Sequence, residues 1–213
     1  MISAQAALQR LREGNRRFVE DQRSTHAAAG PRRRAELTYG QEPFAAILGC
    51  SDSRVPVEIV FDQGLGDLFV IRVAGNIVAP SQIGSVEFVA EHYDTRLVVV
   101  MGHSNCGVVL ATIEQLERPL EKQSRNVHSI VSRVRPSVEG LLETSLRHDH
   151  DALVRHAVRA NVRASTDHLR HGSQVIEQLI ETNGLLVVGA EYSLETGIVD
   201  FFDGVPEGLS LAP

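Results

Sequence analysis

Short apolar runs separated by longer amphipathic stretches dominate the chain from residue 44 onward. Four runs have the length and composition of strands buried on both faces: 44–48, 68–73, 97–101 and 185–188. Helical periodicity is strongest at 85–93, 106–116 and 152–180. We expect the last of these to break at His171 and Gly172, and the segment 197–202 to return as an antiparallel edge strand. This alternation predicts an α/β fold, a mostly parallel central β-sheet flanked by helices.

The first twenty residues have the pattern of an amphipathic helix. Its apolar positions are Ala4, Leu8, Leu11 and Phe18. This stripe is narrow, so we expect the helix to form an arm that reaches another subunit rather than its own core. The basic segment 30–34, with Gly-Pro at its start, reads as a solvent-exposed connector. We expect one domain over 1–213, in which residues 1–40 are the N-terminal helical arm and connector.

Composition narrows the class of protein. A chain of 213 residues with 43% hydrophobic content can bury a full core. With 21 Lys and Arg against 27 Asp and Glu, the net charge is −6, which favours no nucleic-acid partner. The apolar runs are far shorter than the roughly 20 residues of a membrane span, and no secretory signal is visible. We therefore expect a cytoplasmic protein with no membrane partner.

The chain has two cysteines, and each follows a predicted strand. Cys50 opens the sequence Cys-Ser-Asp-Ser-Arg after the first strand, and Cys106 lies three residues beyond His103 after the third. Carboxyl ends of parallel strands meet at one edge of an open sheet, so these three side chains can converge. Two thiolates and one imidazole are a typical zinc ligand set. The sequence therefore predicts a zinc site formed by Cys50, His103 and Cys106.

Three protein ligands leave the fourth zinc position open for water or substrate, as in catalytic sites. Asp52 is the obvious candidate for a fourth protein ligand. Two alternatives stay open. A buried cysteine at a strand end is often a small apolar side chain, and His103 could instead act as base for a redox or acyl-transfer thiol at Cys106. The second alternative leaves Cys50 without a role.

The two cysteine segments resemble the zinc motifs of the β-class carbonic anhydrases. The similarity extends through 13–18, 50–55, 62–64, 69–76, 84–88 and 102–107. It implies Zn²⁺ as cofactor, held by Cys50, His103 and Cys106, and a catalytic dyad of Asp52 and Arg54. It also implies a homodimer or homotetramer, with sites at subunit interfaces.

The resemblance implies zinc-dependent, reversible hydration of CO₂ to bicarbonate and a proton, the activity of a lyase named carbonate dehydratase. The nucleophile would be a zinc-bound hydroxide whose proton Asp52 accepts as a hydrogen bond, while Arg54 keeps Asp52 ionised. Val55 and Phe61 are candidates for lining the CO₂ pocket. The candidate donors to substrate are Gln63, reaching across a subunit interface, and the amide of Gly107.

The resemblance also implies a switch, found in some members of the family, in which the dyad aspartate becomes the fourth zinc ligand. Asp52 would be a metal ligand only in such a closed state. In those members a Trp-Arg-Tyr trio holds bicarbonate and favours closure. Arg72 and Tyr192 match two of the three positions, but Ile47 stands at the third and the chain has no Trp. We therefore predict an open site with Asp52 paired to Arg54 at neutral to alkaline pH.

Two other functions are compatible with the same site. The fold and metal could turn over another linear substrate such as CS₂ or COS, because attack by a zinc hydroxide is general chemistry. A zinc-binding or regulatory protein without activity is disfavoured, because Asp52 and Arg54 are both intact.

Overall fold

The computed structural model describes residues 2–23, 29–118 and 124–208. Five strands form one sheet in the order β2-β1-β3-β4-β5. The strands are β1 (Ala45–Gly49), β2 (Leu68–Arg72), β3 (Leu97–His103), β4 (Leu186–Tyr192) and β5 (Val199–Asp203). The first four pair in parallel, and β5 runs antiparallel to β4 at the edge. The predicted α/β fold and its antiparallel edge strand are confirmed.

Helices cover both faces of the sheet. Their bounds are α1 (Ala4–Val19), α2 (Pro31–Glu36), α3 (Val57–Val60), α4 (Pro80–His92), α5 (Gly107–Glu117), α6 (Arg125–Val134), α7 (Pro136–Leu142), α8 (His150–His171) and α9 (Gln174–Asn183). The predicted break falls between α8 and α9, where Ser173 caps the second helix. The segment 30–34 is not simply a connector, because Pro31 stands at the first turn of the short helix α2, although none of its residues is buried.

The central strands β1 and β3 are buried along their whole length. Their side chains alternate between the two faces, which explains why the sequence shows continuous apolar runs there. Helix α8 lies close to the sheet because two strand glycines leave room for Val162. A Cβ on Gly102 would lie 2.6 Å from Val162, and one on Gly189 would lie 2.9 Å from it. This close approach brings α8 near the carboxyl end of β3.

Helix α1 packs against its own chain. Ala7, Leu8 and Leu11 are buried in one apolar cluster with side chains of β1, β3 and α3. Asn15 strengthens the contact, because its amide donates to the carbonyls of Val60 and Gly197. The expectation that another subunit covers this helix instead of its own core is therefore wrong. A narrow stripe is enough here, since small residues let the helix approach closely.

Replacing Gly14 by alanine should destabilise the protein by about 1–3 kcal/mol, the usual cost of overpacking a core. A Cβ at this position would lie 1.8 Å from the carbonyl oxygen of Phe61, so α1 must shift away from the segment after α3. Chemical unfolding monitored by circular dichroism measures the change.

Gly140 in α7 is the matched control, because a Cβ there meets nothing within 4 Å. Gly140→Ala should be neutral or stabilising by up to about 1 kcal/mol, the difference in helix propensity. Equal effects of the two substitutions would show that the contact between α1 and Phe61 is not close in solution.

No described helix combines the length and hydrophobicity that crossing a bilayer requires.

Candidate metal centre

The three side chains predicted to bind metal meet at the carboxyl ends of β1 and β3. Cys50 follows β1, His103 is the last residue of β3, and Cys106 precedes the first residue of α5. One ligand atom from each residue lies within 4.8 Å of the other two. All three residues are buried. The cluster forms because β1 and β3 are adjacent in the sheet, although 53 positions separate Cys50 from His103 in the chain.

The His103 ring is oriented through its other nitrogen. Nδ1 lies 3.0 Å from the carbonyl oxygen of Ser104, which can only accept, so Nδ1 carries the proton. Nε2 then presents a lone pair. It is fully buried and has no hydrogen-bond partner among the described residues. An orphaned, buried acceptor beside two thiols fits a metal ion.

The two thiols interact directly. A hydrogen bond from Cys106 lowers the pKa of Cys50, although burial opposes the shift, and the Gly75 amide contributes in the same direction. The same bond and burial raise the pKa of Cys106. A divalent cation that displaces the protons of the two thiols can bind both sulfurs as thiolates.

Asp52 and Arg54 form a bidentate pair beside the cluster. Arg54 Nε donates to Asp52 Oδ1 at 2.9 Å and Nη2 donates to Oδ2 at 2.7 Å. The backbone amide of Arg54 adds a bond of 3.0 Å to Oδ1. These bonds hold the pKa of Asp52 well below its usual range. The carboxylate faces the cluster, because Oδ2 lies 3.8 Å from His103 Nε2.

Two arginines tie the loops of the site together. Arg72 donates from Nε to the carbonyl of Cys50 at 3.0 Å and from Nη2 to the carbonyl of Asp52 at 2.6 Å. Arg54 reaches from the β1 loop to the β3 loop, where Nη2 donates to the carbonyl of Asn105 at 3.3 Å. Arg72, which matches the arginine of the bicarbonate-binding trio, therefore binds the backbone that carries Cys50 and Asp52.

The candidate substrate residues lie in different places. Gly107 is the first residue of α5, so its amide has no intrahelical acceptor. Val55 and Phe61 are fully buried in the apolar cluster under α1, which does not include the two cysteines. Gln63 is also buried. Its amide donates to the carbonyl of Phe61 and its oxygen accepts from Arg10.

Gly75 contacts one candidate ligand and Asn161 contacts Gly75, and no spacing in the sequence predicts either contact. The Gly75 amide donates to the sulfur of Cys50 at 3.3 Å, and the Asn161 side chain of α8 donates to the carbonyl of Gly75 at 2.8 Å. Asn161 is 86 positions from Gly75. In the sequence of an amphipathic helix, an asparagine that will be buried cannot be distinguished from the other polar residues.

Comparisons with known proteins agree on one family. A family model described as carbonic anhydrase matches residues 45–199. A protein of Mycolicibacterium smegmatis named carbonic anhydrase is 38% identical over 195 residues, which cover 92% of this chain and 91% of that protein. Carbonic anhydrase 2 of Mycobacterium tuberculosis is 40% identical, with coverage of 90% and 89%. The crystal structure of the β-carbonic anhydrase CafA of Aspergillus fumigatus superposes with a TM-score of 0.72 at 27% identity and covers 96% of this chain and 93% of that one.

Proposed function

Because the chain belongs to the β-class carbonic anhydrases, lyases that hydrate CO₂, we propose that it carries out this reaction with zinc held by Cys50, His103 and Cys106 and with Asp52 and Arg54 as the catalytic dyad. The observation that carries the proposal is the buried cluster of two thiols and one imidazole with a paired carboxylate at its side.

The donor set fits zinc. Two thiolates and one neutral imidazole are common zinc ligands, and three protein ligands are the usual number at a catalytic zinc. His103 offers an unpaired Nε2 to the cluster. When bound there, zinc acts as a Lewis acid that makes water a nucleophile near neutral to alkaline pH.

Asp52 orients the attacking oxygen. Its carboxylate is ionised, so it can only accept, and it takes a hydrogen bond from the one proton that the nucleophile retains. This bond turns a lone pair of the oxygen toward the carbon of CO₂. The product is bicarbonate, and the proton lost from water leaves to solvent.

Arg54 fixes Asp52 in this role. The two parallel bonds from its guanidinium fix the plane of the carboxylate, and the charge keeps Asp52 from accepting a proton. The additional bond to Asn105 couples this geometry to the loop that carries Cys106. The same contacts pair the Asp52 carboxylate with Arg54, so Asp52 would become a fourth ligand only in a closed state in which this pair is broken.

The substrate pocket is completed by a second subunit in this proposal. CO₂ is apolar and needs apolar walls with a few donors. Gly107 supplies an amide next to the ligands of its own chain. Gln63 lies in a different cluster of the chain and would serve the site of a neighbouring subunit in a homodimer or homotetramer, whereas the fully buried Val55 and Phe61 would support that surface from within their own chain. A Sordaria macrospora β-carbonic anhydrase of the same fold is described as tetrameric.

A cytoplasmic location is part of the proposal. Both cysteines are reduced and buried in the structure, which suits a reducing compartment. The net charge of −6 favours neither nucleic acid nor an anionic membrane surface as partner.

Zinc analysis and stopped-flow CO₂ hydration on one preparation test the function. We expect one zinc per chain and hydration that is lost on chelation and restored by added zinc. Full activity after removal of zinc would contradict the role of the metal. A zinc-loaded protein without hydration activity would contradict the proposal that this chain hydrates CO₂.

A further inference from the structure

We propose that Asn161 of α8 is a positioning residue for the metal ligand Cys50, acting through the backbone turn at Gly75. The inference rests on zinc occupying the cluster described above. It concerns a residue that does not touch the metal, the substrate or the dyad.

The Gly75 turn is in direct contact with the Cys50 side chain. After β2 the chain turns sharply, and its amide at Gly75 points at the Cys50 sulfur, 3.3 Å away. Gly75 has φ +73° and the next residue, Asn76, has φ +43°, so two successive residues are left-handed. A side chain on Gly75 would collide with Val108 of α5, since a Cβ would lie 2.9 Å from it. The turn therefore lies between Cys50 and the start of α5, the helix that follows Cys106.

Two successive left-handed residues need support from outside the turn, because the second is not a glycine. Asn161 supplies it: its amide donates to the Gly75 carbonyl at 2.8 Å, and the side chain is almost fully buried. The helix itself is held in place, since Gly102 and Gly189 let it approach the sheet beside Val162. Gly75 is therefore held on one side by Asn161, while its N–H faces Cys50 on the other.

Hydrogen bonds from backbone amides to a thiolate have two effects on a metal site. They fix the direction of the sulfur, and they withdraw charge from it, which weakens its donation to the metal. Loss of Asn161 frees the Gly75 carbonyl to rotate and leaves it buried without this partner. The hydrogen bond from the Gly75 amide to the Cys50 sulfur then lengthens or breaks. A sulfur without a fixed direction releases zinc faster, and this effect outweighs the stronger donation of a sulfur whose charge the amide no longer withdraws.

Asn161→Leu removes the amide and keeps a side chain of similar size. We expect zinc to transfer from the purified protein to a chromogenic chelator about 10–100 times faster than from the unsubstituted protein, because the usual loss of metal affinity on removing a partner of a ligand is expressed in the dissociation rate. After replacement of zinc by Co²⁺, the sulfur-to-cobalt charge-transfer band should shift to longer wavelength, because Cys50 becomes a stronger donor.

Thr166→Val is the matched control on the same helix. Thr166 is buried and its hydroxyl bonds to Asp203 of β5, away from the cluster, so its loss loosens α8 without touching Gly75. This variant should keep the zinc transfer rate and the cobalt band of the unsubstituted protein. Acceleration by the same factor in both variants would assign the effect to general loosening and overturn the proposal. So would an unchanged rate and spectrum in Asn161→Leu.

If Asn161→Leu does not fold, Asn161→Ser takes its place with the same expected results. Failure of both to fold, while Thr166→Val folds, would make Asn161 a folding residue and overturn the proposal. A starting protein that holds no zinc at all would contradict the proposed function itself. Zinc binding with normal CO₂ hydration and no effect of Asn161→Leu would contradict this inference alone.

Discussion

Cys106→Ser is expected to lose zinc and to hydrate CO₂ more than 100-fold more slowly. This loss exceeds the roughly 10–100-fold loss of activity that follows removal of a hydrogen-bond partner of a metal ligand. Serine is a poor zinc ligand at neutral pH because its hydroxyl stays protonated. The two remaining ligands, Cys50 and His103, cannot complete a three-coordinate protein site. Metal analysis and stopped-flow hydration of the same sample measure both losses.

Thr112→Ser serves as the control for this substitution. Thr112 is buried in α5, the helix that begins directly after Cys106, and its hydroxyl bonds within the helix to Val108. It should keep zinc and activity. A Cys106→Ser protein with stoichiometric zinc and unchanged rates would remove Cys106 from the ligand set.

Arg54→Ala is expected to keep zinc and to lose about 100-fold in rate, the order of loss when a reacting group is misplaced by about 1 Å. The ligands are untouched, but Asp52 loses both guanidinium bonds and keeps only the backbone amide. The pKa of Asp52 then rises toward its ordinary value, which is still acidic. The carboxylate therefore remains ionised at neutral pH, so the loss measured there reflects orientation.

Two variants make this result specific. Arg54→Lys keeps the charge but cannot form the bidentate pair. Its rate of CO₂ hydration should therefore lie between those of Arg54→Ala and the unsubstituted protein. Arg135→Ala breaks an ion pair with Glu139 on the exposed surface of α7 and should leave the rate unchanged. Arg54→Ala with normal zinc and normal rates would exclude the role of the dyad.

The convergence of the metal ligands could be predicted because it follows from sheet topology. Cys50 and His103 end buried apolar runs, and parallel strands bring such ends to one edge. The antiparallel strand β5 was also predictable, since a short segment after the last parallel strand can reach only the free edge of that strand.

The contacts that hold the ligands were not predictable. Arg72 binds the carbonyls of Cys50 and Asp52, and Asn161 binds that of Gly75. Bonds from side chains to distant backbone have no spacing rule, because the distance along the chain is set by how helices pack. The packing of α1 escaped prediction for the same reason: Gly14 reveals its close approach only when Phe61 is known to face it.

The position of the candidate metal ligands at the ends of β1 and β3 would have a thermodynamic consequence for the whole protein. Zinc bound there would act as a reversible cross-link between residues about fifty positions apart, with β2 and α4 between them. The ligands are assembled only when the two central strands are in register, so zinc binds the folded chain in preference to the unfolded one. The melting temperature would then rise with the concentration of free zinc. Zinc supply would thus set the amount of folded protein as well as its activity.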